Sequence, residues 1–226
     1  MFKTIVAVVA LVFLFVSPVQ ADFTFTYKFD TAFSGYVPPA GSTPWLTAKF
    51  ADTGTNEVTL TLTASNLGGT EFVSNWFFNY TGASNLSIIQ IMQFTEDDAP
   101  SATNALGVLG RYKADGTGGW FDLTFAFPTE GADRFTNGEY AIFTITGEGL
   151  TSEMFLAQSW DSKTGGERSV LYAAAHIQGI PLEGGGTTSA WVTTGTSTTH
   201  APIPAAAWLL SSGLLGLAVI RRRLKK

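Results

Sequence analysis

Along most of the chain apolar and polar residues alternate. Phe23, Phe25, Tyr27 and Phe29 interleave with Thr24, Thr26 and Lys28, and Val58, Leu60, Leu62 and Ala64 with Thr59, Thr61 and Thr63. Phe121, Leu123, Phe125 and Phe127 interleave with Trp120, Asp122, Thr124 and Ala126. A period of two marks strands that turn one face to a core. The same reading predicts strands at Trp45–Phe50, Phe72–Tyr80, Leu86–Phe94, Leu106–Lys113, Tyr140–Gly147, Ser169–Gln178 and Ser189–Thr194, with one helical turn near Thr151–Gln158. Asp52-Thr53-Gly54, Asn66-Leu67-Gly68-Gly69, Asp115-Gly116, Asn137-Gly138 and Gly184-Gly185-Gly186 separate them as turns. About eight to ten short strands in one domain predict an all-β fold, an antiparallel β-sandwich of jelly-roll-like type.

Both ends break this pattern. Ile5–Val16 is an uninterrupted apolar run of 12 residues. That is too short to span a bilayer comfortably and suits the core of a secretory signal peptide, Met1–Ala21. Ala21 supplies the small residue at the cleavage point, so signal peptidase and the secretion translocon are expected partners. At the other end Ala205–Ile220 is 16 residues without charge. As a helix it covers roughly 24 Å, against about 30 Å of hydrocarbon. Arg221, Arg222, Arg223, Lys225 and Lys226 follow it and hold the C-terminus in the cytoplasm, with everything before it outside. A plain membrane anchor and a signal removed during processing both fit these properties.

The order of residues in the tail carries a resemblance. Pro202-Ile203-Pro204-Ala205-Ala206-Ala207-Trp208-Leu209-Leu210, then a glycine-bearing apolar run and Arg221-Arg222-Arg223, resembles the PEP-CTERM sorting signals of Gram-negative bacteria, in the variant with a V-P-L-P-A-A-x-W-L core. Ile203 stands where that variant has Leu, Ala201 where Val is usual, and Pro-Glu-Pro is absent. The resemblance implies processing by exosortase, a membrane protease/transpeptidase associated with exopolysaccharide production. It also implies passage through the inner membrane to the cell surface or the biofilm matrix. N-E-V-T-L-T-L-T-A-S-N-L from Asn56, E-F-V-S-N-W-F-F-N-Y from Glu71, G-G-W-F-D-L-T-F-A-F-P from Gly118 and A-A-H-I-Q-G-I-P from Ala174 are similar to stretches of exported proteins of that group. Such proteins generally lack an assigned activity, so the likeness implies fold and export and no catalytic residues.

The chain thus divides into a signal peptide (1–21), an exported β domain (22–192), a Thr/Ser/Gly stalk (193–201) and a C-terminal sorting signal with its transmembrane helix (202–226). Between Asp22 and His200 lie all 18 acidic residues and seven basic ones, Lys28, Lys49, Arg111, Lys113, Arg134, Lys163 and Arg168, a net charge of −11. A domain this acidic repels phosphate backbones, which argues against nucleic acid as a partner. With no cysteine, neither disulfides nor thiolate metal sites contribute.

Candidate chemistry is sparse. Of two histidines, His200 falls in the stalk and His176 on a strand face with Val170, Tyr172 and Ala174, where it reads as a hydrogen-bonded partner at the rim of a core. There is no G-x-S-x-G elbow, P-loop or dinucleotide fingerprint. No metal site or cofactor is expected, and the chain reads as a non-enzyme. Glu96-Asp97-Asp98 reads as a solvated loop rather than a calcium site, and Asp115, Asp122 and Asp161 are the scattered carboxylates a glycan-active hydrolase or lyase would have to pair. The sequons at Asn79 and Asn85 read as chance matches. Aromatic faces stack on sugar rings, so the tryptophans are the candidates for binding extracellular polysaccharide. Trp120 leads, because it alternates away from the Phe121/Leu123/Phe125 face; Trp76, inside Trp76-Phe77-Phe78, is the second candidate. Two roles follow as expectations: a structural or interaction protein of the surface or matrix, and a carbohydrate-binding module.

Overall fold

The computed structural model describes residues 23–35, 37–82, 90–94, 100–106, 110–115, 119–168 and 171–200. The signal peptide with Ala21, Asn85, the Glu96-Asp97-Asp98 run and the tail from Ala201 to Lys226 lie outside them.

The described residues are nearly all β. In chain order the strands are β1 (Thr24–Gly35), β2 (Leu46–Gly54), β3 (Glu57–Ala64), β4 (Phe72–Phe78), β5 (Gln90–Phe94), β6 (Thr103–Leu106), β7 (Tyr112–Lys113) and β8 (Trp120–Phe121). They continue with β9 (Leu123–Ala126), β10 (Phe135–Thr136), β11 (Tyr140–Thr146), β12 (Trp160–Ser162), β13 (Gly165–Arg168), β14 (Ala173–Pro181) and β15 (Thr187–His200). A 3₁₀ turn, Ser152–Phe155, occupies the middle of the predicted helical turn. The large sheet runs β5-β11-β3-β2-β1-β15-β14-β4-β9-β6, with β10 also on β4, and a small sheet runs β13-β12-β8-β7.

The large sheet folds over so that its two halves face each other across one core. Phe29 of β1 meets Trp76 of β4 edge-on at 5.1 Å, Phe50 of β2 meets Phe78 of β4 at 5.2 Å, and Phe125 of β9 meets Phe143 of β11 at 4.6 Å. The alternating threonines point outward and the alternating Phe, Leu and Val inward, as in β3, whose Val58, Leu60, Leu62 and Ala64 are all buried. The two ends of the sheet are also tied. The Gln93 side-chain amide on β5 donates to Pro100 O at 2.7 Å and accepts from Ala102 N–H at 2.8 Å, just before β6. The result is a sandwich that nearly closes into a barrel, which leaves little free sheet edge.

Several boundaries differ from the sequence reading. The segment expected to be a stalk is strand: Thr193–His200 is the second half of β15, and residues 196–200 pair with Lys28–Thr24 of β1. Threonine is β-branched and favours strand, so a Thr-rich run continues a sheet wherever a partner strand is present. The expected strand Trp120–Phe127 is two strands, because the chain turns at Asp122 and leaves the small sheet for the large one. The Leu106–Lys113 strand is likewise divided between β6 and β7. β12 and β13, a hairpin, were not anticipated. The turn after β2 is Thr55-Asn56, with Asn56 at φ 62°, a conformation Asn tolerates better than most residues.

Trp76, a candidate ligand-binding residue, is fully buried between Phe29 and Phe135. The correction has a clear cause. β4 is covered on both faces: Trp76 and Phe78 point into the core, while Phe77 packs against Phe121 of the small sheet at 5.8 Å and Trp191 of β15 at 5.5 Å. A strand buried on both sides reads as a continuous apolar run.

Candidate functional site: a cation–tryptophan rung on the small sheet

Phe121 of β8 is fully buried beneath the small sheet, in a second apolar cluster with Phe77, Ala114 and Ala174. Its neighbour Trp120 therefore points the other way and is half-buried, as its alternation predicts. Register builds the rest of the site. Lys113 pairs with Trp120, Trp120 with Trp160, and Trp160 with Arg168. Residues directly opposite in antiparallel strands share a face. One row of side chains thus crosses all four strands in the order cation, tryptophan, tryptophan, cation. Lys113 Nζ lies 5.7 Å from the Trp120 ring centre, and the Arg168 guanidinium lies 3.5 Å over that of Trp160. Both are cation–π contacts, the arginine one close enough to be a stack.

Gly110 lies against this row at φ +76°. A Cβ there would sit 2.8 Å from Trp160 Cδ1 and 2.9 Å from Trp120 Cβ, so only glycine lets the chain cross so closely. Its N–H donates to Asp122 Oδ1 at 2.7 Å, and the Trp160 indole N–H donates to the same oxygen at 2.9 Å. Asp122 Oδ2 accepts from Tyr80 N–H at 3.1 Å and lies 4.0 Å from Arg168. Burial pushes the Asp122 carboxyl above its ordinary range, against the pull of these donors and of Arg168. Arg168 also donates to the carbonyls of Gln158 and Tyr80. Asp122 is therefore the anchor of the rung. Both its oxygens are engaged and the side chain is buried, so it faces no open site for a substrate.

Beside the rung, Arg111, Lys163 and Thr164 line an open cleft of about 400 Å³. A second cleft, of about 430 Å³, lies over the 3₁₀ turn between Thr81, Thr151, Glu153, Met154 and Leu156. His176 is on β14, stacked on Trp191 at 4.5 Å and bonded through Nδ1 to Ser74 Oγ at 3.0 Å. Ser74 is only 1% exposed, so this Ser–His pair has no room for a substrate carbonyl at the hydroxyl. Burial lowers the His176 pKa, with Asp115 pulling it up. Asp115 itself accepts from Ser34 Oγ at 2.6 Å. Asn79 is fully buried, so its sequon offers no reachable amide. Among the described residues no three His, Asp or Glu side chains gather as metal ligands.

Sequence reasoning found Trp120 and its direction but not Trp160, Lys113 and Arg168 as its companions. The available signal was Lys163-Thr164-Gly165-Gly166, a turn sequence between Trp160 and Arg168 that makes the two strands a hairpin. Comparison with known proteins found no family model, no curated protein and no solved structure that matches the chain.

Proposed function

We propose that this chain is an exported, non-catalytic protein of the cell surface or exopolysaccharide matrix, with a β domain that serves as an interaction module. In this proposal the tail from Pro202 to Lys226 is a PEP-CTERM-type sorting signal processed by exosortase at the inner membrane. The order of Pro202, Pro204, Trp208 and the Arg221-Arg222-Arg223 cluster supports the sorting reading. Successive strands that change sides of the core, β3 to β4 to β5 to β6, support a jelly-roll-like description of the sandwich. Processing predicts a mature protein that lacks Arg221–Lys226, checked by intact mass of surface material. A full-length C-terminus retained in the inner membrane overturns it in favour of a plain anchor.

The observation that carries the interaction reading is the Lys113–Trp120–Trp160–Arg168 rung, and it favours polysaccharide as the partner. Half-buried tryptophans framed by cations offer apolar surface for a sugar ring, and the exposed cations offer hydrogen-bond donors for its hydroxyls. A catalytic reading is weaker, since Asp122 is the carboxylate nearest the tryptophans and is held by its own donors. A glycan array probed with the wild type and Trp120→Ala tests the binding reading. Binding that the substitution abolishes supports it, and absence of binding by the wild type overturns it.

A further inference from the structure

We propose that the polysaccharide recognised at this face is acidic, carrying carboxylate or sulfate groups that Arg111, Lys113 and Lys163 hold while a sugar ring lies on Trp120. The proposal rests on the glycan-binding reading above and adds the ligand class.

Charge is distributed unevenly in this domain. Four of its seven basic residues, Arg111, Lys113, Lys163 and Arg168, belong to the small sheet or its turns. Of the others, Lys28 and Lys49 are on β1 and β2 of the large sheet, and Arg134 is stacked over Phe72 at 4.6 Å. The small sheet and its turns also carry four acidic residues, so its cations matter by position rather than by net charge. Asp122 is buried and faces Arg168, whereas Asp115 is exposed and keeps its charge while accepting from Ser34. Asp161 and Glu167 are exposed on the β12–β13 hairpin, with the Asp161 carboxylate lying against Gly166. Among the described residues, Arg111, Lys113 and Lys163 have no carboxylate within ion-pair distance, and all three are exposed.

Geometry joins these charges to the aromatic surface. Lys113 is the cross-strand partner of Trp120, and Arg111 precedes it by two positions. Lys163 and Thr164 form the turn of the β12–β13 hairpin that carries Trp160 and Arg168. The cleft of about 400 Å³ between Arg111, Lys163 and Thr164 is of the size that holds small ligands, about 300–1,000 Å³. A uronate or sulfated sugar presents a flat apolar face for stacking and an anion at its edge. The rung and cleft offer the complement of both within one patch. The domain's net charge of −11 works against a polyanion. Binding of one therefore depends on Arg111 and Lys163 at the cleft and on Lys113 opposite Trp120, all unpaired among the described residues.

The test uses the full chain in mild detergent, titrated calorimetrically with sodium alginate oligosaccharides and with neutral dextran oligosaccharides. The expected result is alginate binding that weakens as NaCl rises from 50 to 500 mM. It should fall about tenfold or more in Arg111→Ala/Lys163→Ala, the scale of one lost charge-assisted hydrogen bond. The melting temperature should not change, because neither side chain has a folded-state ion-pair partner. Trp120→Ala should weaken alginate binding as well. Dextran bound as tightly as alginate, with both lost in Trp120→Ala, overturns the acidic class and leaves the glycan reading intact. Binding of neither probe overturns both. Alginate binding that survives Arg111→Ala/Lys163→Ala overturns the assignment of these residues and places the acidic-glycan site elsewhere on the domain.

Discussion

Trp160 donates its indole N–H to Asp122 Oδ1 at 2.9 Å, and that bond joins the two sheets. Trp160 belongs to the small sheet, whereas Asp122 is the hinge residue between β8 in that sheet and β9 in the large one. The same carboxylate gathers Gly110, Tyr80 and Arg168. One buried acid therefore sets where the rung stands relative to the core. Asp122→Ala leaves two backbone donors and an indole without an acceptor, and Arg168 without a counter-charge. The expected cost is about 3–5 kcal/mol, the range for breaking a buried charged network. Thermal denaturation of the variant should show a fall of roughly 10 °C for a domain of this size. Asp122→Asn, which keeps one acceptor oxygen, should lose less. Equal melting temperatures for wild type and Asp122→Ala would show that the small sheet docks through its apolar face alone.

Trp76 and Trp120 separate core from surface. Trp76 is fully buried among Phe29, Phe78 and Phe135, and its truncation should cost about 3–5 kcal/mol. Trp120 is half-buried and should cost about 1–2 kcal/mol when replaced by Ala, since only part of its apolar area leaves water on folding. Melting curves of the two variants, measured side by side, check the order. A Trp120→Ala loss as large as that of Trp76→Ala would show the rung to be a structural clamp.

That contrast also shows which features were legible before the structure. Period two located the strands whose one face meets the core and the other solvent, such as Val58–Ala64 and Phe23–Phe29. It could not resolve Trp76-Phe77-Phe78, because burial on both faces erases the alternation that distinguishes inside from outside. The rung was illegible for another reason. Lys113, Trp120, Trp160 and Arg168 span more than 50 positions of chain and become neighbours only through strand register, which follows from long-range packing rather than local pattern. The run from Thr193 to His200 misled because Thr, Ser and Gly suit both a linker and an outward-facing strand. Only the presence of β1 as a partner decides between them.

The C-terminal boundary of the domain follows from that last point. Residues 196–200 pair with Lys28–Thr24, on the strand that carries Phe25 and Tyr27 into the core. A chain ending at Thr194 should leave that part of β1 bonded on one side only, to β2. With a net value near 1 kcal/mol per hydrogen bond, the loss is about 3–5 kcal/mol. Chains ending at Thr194 and at His200, compared by urea denaturation, should differ by that amount at unchanged fold. Superimposable curves would mean that the β1–β15 pairing beyond Thr194 adds nothing to stability.

His176 predicts how stability responds to mild acid. Its ring is stacked on Trp191 and bonded to Ser74, and burial holds its pKa below the ordinary 6.5. The unfolded chain, with an ordinary histidine, therefore takes up a proton at a pH where the folded chain does not. Stability contributed by the neutral ring is complete above about pH 6.5 and is lost as pH falls from there toward the folded pKa. Asp115 opposes the shift without reversing it. Asp122 acts with the opposite sign, because burial raises its pKa and the folded chain takes up that proton first. Wild type alone would mix the two groups. The difference between wild type and His176→Gln isolates the histidine, since Asp122 is common to both. Melting temperatures measured from pH 8 to pH 5 should show the wild type losing ground to His176→Gln across the acidic part of that range. Parallel curves would mean that the ring becomes protonated in the folded state as easily as in water, and that its stack on Trp191 tolerates the charge.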